Sequence, residues 1–117
     1  LAGPGGNFLL AIATAIVMKI VYAMPQTEST YIALTLLQPL LLYNVVLGVF
    51  NLIPVPPLDG SKILAGILPD SQAVLLDNLE RYGPIILLVL VFSGLIGAIL
   101  WPILNFVLGI LSNFIFG

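Results

Sequence analysis

The hydrophobic positions of this chain fall into three long runs broken by two polar connections. The first run extends from about Asn7 to Met24 and is apolar or small throughout except for Thr14 and Lys19. The second extends from about Tyr31 to Ile53 and is interrupted by Gln38, Pro39 and Asn44. The third extends from Gly83 to Gly117 without a charged residue. A bilayer core takes about 20 apolar residues as a helix, so each of the first two runs predicts one crossing. A helix is the expected form because lipid offers no partner to unpaired backbone groups.

The third run is too long for one crossing. At about 1.5 Å per residue it would reach about 52 Å, against a core of about 30 Å. It must tilt, break or turn back, and Gly94, Gly97 and Pro102 mark the break. Pro102 suits the first turn of a new helix, where its missing N–H costs nothing. The pattern therefore predicts a helix over Pro84–Leu100 and another over Pro102–Ile115, spanning the membrane or lying along it. Pro25–Thr30 reads as a short polar turn. Pro54–Tyr82 is the long polar region and holds Asp59, Lys62, Asp70, Asp77, Glu80 and Arg81. The predicted fold class is all-α: a polytopic transmembrane helical bundle of three to four membrane helices, with a proline-broken segment after the second. No repeat or linker divides it, so residues 1–117 read as one transmembrane domain.

Composition sharpens this picture. The chain is 61% hydrophobic and 7% charged, with mean hydropathy +1.23. A soluble domain carries about 25% charged residues. The net charge of −2 and the absence of a basic run argue against nucleic acid as a partner. With no cysteine and no histidine, thiolate sites and the commonest zinc ligand and general base are missing from these residues. The chain opens at Leu1 in a Gly/Pro stretch unlike a signal peptide, and reads as beginning part-way through a longer protein. Lys62 and Arg81 place loop 54–82 on the cytoplasmic side by the positive-inside rule.

The densest candidate chemistry is Asn51-Leu52-Ile53-Pro54-Val55-Pro56-Pro57-Leu58-Asp59-Gly60. Three prolines end the second helix abruptly. They predict an extended stretch over Ile53–Leu58, a turn at Asp59–Gly60, and a short helix over Ser61–Leu68 ended by Pro69–Asp70. This puts a carboxylate beside irregular backbone at a membrane helix end, where an ionisable residue is a functional hypothesis. A carboxylate is a competent zinc ligand; equally, Asp59 is a good N-cap for the helix after it. Asn51 could hydrogen-bond a substrate peptide, or serve as a helix-end cap or inter-helix bond. Asn44, Gln38 and Asn105 are expected to bond between helices. Gly48, Gly94 and Gly97 are expected to pack closely or bend, Pro39 to kink its helix, and Lys19 to snorkel. Asp77–Tyr82 reads as a solvated helical end, with Asp77 and Arg81 spaced as an i,i+4 pair.

The segment Asn51, Pro54, Pro56, Pro57, Leu58, Asp59, Gly60 resembles the second signature of the site-2 protease family in its compact bacterial and archaeal form. Ala2-Gly3-Pro4-Gly5-Gly6-Asn7 resembles that family's turn into its third membrane helix. Leu79-Glu80-Arg81-Tyr82-Gly83-Pro84 resembles the turn into its fifth, and Trp101-Pro102 the start of its last segment. The resemblance implies an intramembrane zinc metalloprotease of a prokaryotic plasma membrane that cuts transmembrane protein substrates. In that family a His-Glu-x-x-His motif on an earlier helix supplies two zinc ligands and the general base. Asp59 then matches the third Zn2+ ligand, and Asn51 the residue that holds the substrate peptide or the developing oxyanion. Since no histidine occurs here, the upstream half of the same protease is the implied partner, and these residues alone are not a competent protease. Two other readings remain: an ion or proton transport module using Asp59 at a broken helix, and a non-catalytic membrane scaffold. A His-Glu-x-x-His on a preceding apolar helix would select the protease.

Overall fold

The computed structural model describes the backbone of residues 2–117 and side-chain surroundings from Gly5 onward; Leu1 lies outside the described residues. Five α-helices follow in order: α1 (Ala2–Ala23), α2 (Glu28–Asn51), α3 (Gly60–Ile67), α4 (Ala73–Phe92) and α5 (Leu95–Phe116). A short 3-10 turn, Asp70–Gln72, joins α3 to α4. There is no strand among the described residues, so the all-α bundle is what the chain forms. Among the described residues three helices are long and apolar enough to cross a membrane: Gly5–Ala23, Glu28–Asn51 and Leu95–Phe116.

α1, α2 and α5 share the core. Ala11, Ala15 and Met18 of α1 face Leu41, Val45 and Val49 of α2 and Ile96, Leu100 and Ile115 of α5. Small residues on α1 let the helices approach closely, as packing between membrane helices requires. Gly48 of α2 serves the same end, since a Cβ there would lie 2.9 Å from the Phe8 ring. Residues off these stripes, such as Leu9, Leu36 and Phe106, point outward. On a membrane protein such a surface meets lipid or further membrane helices.

The C-terminal ends of α1 and α5 lie together, which makes these two helices parallel and α2 antiparallel to both. Tyr22 and Phe116 meet edge to face, ring centres 4.8 Å apart. Lys19 Nζ donates to the Phe114 carbonyl at 2.7 Å and sits 4.6 Å from the Phe114 ring centre. Lys19 is thus a tie between helices, where the sequence suggested a snorkelling anchor. A cation on the last carbonyls of a helix also opposes its negative end. Lys19→Met is expected to lower stability by about 1 kcal/mol, read as a lower unfolding midpoint in detergent. An unchanged midpoint would mean that water satisfies the α5 end equally well.

Several boundaries differ from the pattern-based expectation, each for a local reason. Ala2–Asn7, expected as a turn, is the first part of α1; Pro4 stands in the first turn, where helical N–H groups have no partner anyway. α2 begins at Glu28, because Thr27 and Thr30 cap each other's backbone N–H groups. Pro39 lies inside α2, which continues through it. Leu79–Pro84 is no turn: it lies within α4, with Pro84 inside the helix. Trp101–Pro102 likewise lies within α5.

The break in the third run falls at Ser93–Gly94. Gly94 has φ 81°, a left-handed conformation that glycine adopts without Cβ strain. Ser93 stitches the joint, its Oγ donating to Leu90 O and accepting from the Leu95 N–H. Gly97 faces open space. α4 touches the bundle core through Leu87 and Leu90 near this joint. The molecule measures 59 × 27 × 19 Å, well beyond the roughly 36 Å of a 24-residue helix. α3 and the polar half of α4 therefore project past the bundle at the α2 C-terminus.

Polar side chains in the membrane helices bond locally. Asn44 Nδ2 donates to Leu40 O at 2.9 Å and Thr14 Oγ1 to Leu10 O at 2.7 Å. Gln38 and Asn105 are exposed. The inter-helix bonds expected of Asn44, Gln38 and Asn105 do not form among the described residues. A carbonyl one turn back has a spare lone pair and is nearer than any neighbouring helix.

Candidate active site

The site begins where α2 stops. Leu52 N–H bonds to Val49 O and Ile53 N–H to Phe50 O, both at 3.1 Å, tightening the last turn before Pro54. Val55 N–H then reaches Ile53 O at 2.9 Å and Leu58 N–H reaches Val55 O at 3.0 Å. From Leu52 to Leu58 each backbone N–H is therefore either bonded in a turn or absent at Pro54, Pro56 and Pro57. That satisfies the requirement on irregular backbone away from water.

These turns correct the extended stretch expected over Ile53–Leu58. The segment is compact, with Val55 and Leu58 buried as its inward anchors. Its two ends touch. A Cβ on Gly60 would collide with the carbonyl oxygens of Leu52 and Ile53, so only glycine lets α3 start against the α2 end. Leu52 follows Asn51 and Gly60 follows Asp59. Closure of the loop thus brings together Leu52 and Gly60, the chain neighbours of the two predicted site residues. A second close approach fixes the loop from outside: a Cβ on Gly83 of α4 would strike the Pro56 carbonyl.

α3 runs Gly60–Ile67, close to the helix expected over Ser61–Leu68. Asp59 occupies its N-cap position but makes no side-chain cap bond, and its backbone is helical (φ −67°, ψ −23°) instead of extended. Its carboxylate bonds to no backbone N–H of α3 among the described residues. Oδ1 lies 3.5 Å from Lys62 Nζ, with the Asp59 side chain 23% exposed and that of Lys62 77% exposed. The i,i+3 spacing of this pair is legible in the sequence. Asp77 and Arg81, which were expected to pair, do not do so among the described residues. Asn51 is the last residue of α2 and half-buried. Its amide makes no side-chain hydrogen bond among the described residues, so it neither caps α2 nor bridges helices.

Zinc sites use three or four protein ligands. Among the described residues no three of His, Cys, Asp and Glu lie close enough to hold a metal. These residues therefore do not build a zinc site by themselves. Asp59 offers one carboxylate to such a set, partly exposed and paired with a lysine that lies mostly in solvent. The sequence marks Gly83 only as part of Leu79–Pro84; its contact with Pro56, 27 positions away, is a property of the fold.

Comparison with known proteins bears on this arrangement. The family model described as Peptidase family M50 matches residues 17–96. The protein named "Putative zinc metalloprotease YwhC" from Bacillus subtilis (strain 168) is 33% identical over 108 residues, covering 90% of this chain and 49% of its own length. The chain thus spans about half the length of that relative. No solved structure matches.

Proposed function

This chain belongs to peptidase family M50, the site-2 protease family of zinc metalloproteases, and from that premise we propose that it forms the Asp-bearing part of an intramembrane protease. Asp59 would supply one ligand to a zinc ion. The other ligands and the general base come from a segment carrying His-Glu-x-x-His, the upstream half of the same protease. Bound zinc would polarise the scissile carbonyl and lower the pKa of its water. Asn51, with an unengaged amide at the α2 end, holds the substrate peptide or donates to the carbonyl oxygen as it gains charge. The substrates are transmembrane helices that unwind locally, since helical backbone is closed to attack. The host is a prokaryotic plasma membrane, with loop 54–82 on its cytoplasmic side.

The observation that carries this reading is the state of Asp59. Its carboxylate sits at the end of a membrane-length helix, in a loop closed by Gly60 against Leu52, and caps nothing. A carboxylate serving only as a helix cap would bond to α3 backbone N–H groups.

The test joins these residues to the His-bearing segment and measures zinc content and cleavage of a membrane-embedded substrate. About one zinc per chain with cleavage is expected; no zinc would overturn the reading. Asn51→Ala is expected to keep the zinc and slow cleavage by about 100-fold, the scale for removing one oxyanion donor. Cleavage at the unaltered rate would remove Asn51 from the mechanism.

A further inference from the structure

Lys62 stands where an α-helix disfavours a cation. It is the third residue of α3, in the first turn, whose unpaired N–H groups give that end a partial positive charge. No acidic residue offsets it within that turn. The side chain instead reaches back to Asp59, with Nζ 3.5 Å from Oδ1. Asp59 occupies the N-cap position yet makes no side-chain cap bond, so the lysine, and not the helix, is the partner of its carboxylate.

Lys62 also lines a cleft of about 80 Å³ between α3 and α4, together with Pro56, Leu76, Leu79 and Glu80. Glu80 thus puts a second carboxylate on the α4 wall of the same cleft. When Asp59 shares its charge with a metal, Glu80 remains to balance the ammonium, and Lys62 need not leave. The pair with Asp59 lies on the Oδ1 side, which leaves the other carboxylate oxygen to a metal. Carboxylates that bind metals are themselves held by outer partners, which fix their orientation.

We propose that Lys62 is a positioning residue for Asp59: it holds Oδ1 and so orients the carboxylate for zinc, touching neither the ion nor the substrate. The proposal rests on the protease reading above. Its sign separates it from plain electrostatics. A cation near Zn2+ repels the ion, so by field alone the loss of Lys62 would tighten zinc binding. The Lys62 side chain is 77% exposed, so water and salt screen that repulsion, and the loss of orientation outweighs it.

In the protein carrying the His-bearing segment, zinc affinity is measured by competition with a chelator, beside the unfolding midpoint in detergent. Lys62→Met keeps the length of the side chain and removes its charge. It is expected to weaken zinc binding about 10-fold, the lower end for removing a group that orients a metal ligand, at an unchanged midpoint. Lys62→Arg is expected to recover most of the affinity. Arg81→Met removes the same charge from the same polar region and is expected to leave the affinity unaltered. Equal or tighter zinc binding in Lys62→Met overturns the proposal. Equal weakening in Arg81→Met also overturns it, by assigning the effect to net charge. A midpoint that falls along with the affinity does the same, since Lys62 would then hold the fold instead of the ligand. Absence of zinc from the unaltered protein overturns the protease reading itself, a result read before any variant is compared.

Discussion

Replacing Asp59 by alanine is expected to weaken zinc binding more than 100-fold and to abolish cleavage with it. Even residues that only orient a metal ligand cost about 10- to 100-fold in affinity when removed, and Asp59 is proposed to touch the ion itself. The loss should come without unfolding. The structural work of its carboxylate is an exposed pair with Lys62, a type worth about 0.2–1 kcal/mol, and it provides no cap to α3. Zinc content and the unfolding midpoint should therefore separate: the first falls, the second barely moves. Asp59→Asn is the companion variant, keeping the shape of the loop while removing the charge. Full zinc retention in Asp59→Ala would reject the ligand assignment.

Gly60→Val is expected to destabilise the fold by about 3 kcal/mol, the top of the range for overpacking. The reason is what the new side chain would meet. Its Cβ would run into the backbone carbonyls of Leu52 and Ile53, which cannot swing aside as a side-chain tip can. Relief requires α3 to leave the α2 end, which separates Asp59 from Asn51. Zinc affinity should fall together with stability, unlike in Asp59→Ala. Gly48→Ala is the contrasting case. Its Cβ would meet the edge of the Phe8 ring at 2.9 Å, and a ring can rotate, so the loss should be smaller. Equal unfolding midpoints for Gly60→Val and the unaltered protein would show that the loop does not close as described.

The candidate site was partly legible because much of its chemistry is local. Proline positions are fixed by covalent geometry, so the end of α2 before Pro54 and the start of a helix near Gly60 follow from the sequence. The form of the intervening segment did not. Three prolines suggested extension, yet Val55 and Leu58 can bury their side chains and bond their N–H groups only if the chain turns. The same limit appears at the third apolar run. The sequence placed that break between Leu100 and Pro102, whereas it falls at Gly94, which adopts the left-handed conformation with Ser93 closing the joint on both sides.

The sequence by itself determined that this protein lives in a membrane, that it is helical, and that Asn51 and Asp59 flank a broken helix end. Those conclusions rest on hydrophobic run length and on the backbone limits of proline, both properties of neighbouring residues. Tertiary structure decided that Gly60 closes onto the carbonyls of Leu52 and Ile53, that α4 docks on Pro56 through Gly83, and that Lys19 ties α1 to α5. Each of these is a contact between residues far apart in the chain, set by which surfaces fit once the helices have formed. Tertiary structure also left the Asp59 carboxylate uncapped, because closure of Gly60 onto Leu52 holds Asp59 in a helical backbone conformation instead of the extended one that a capping side chain uses.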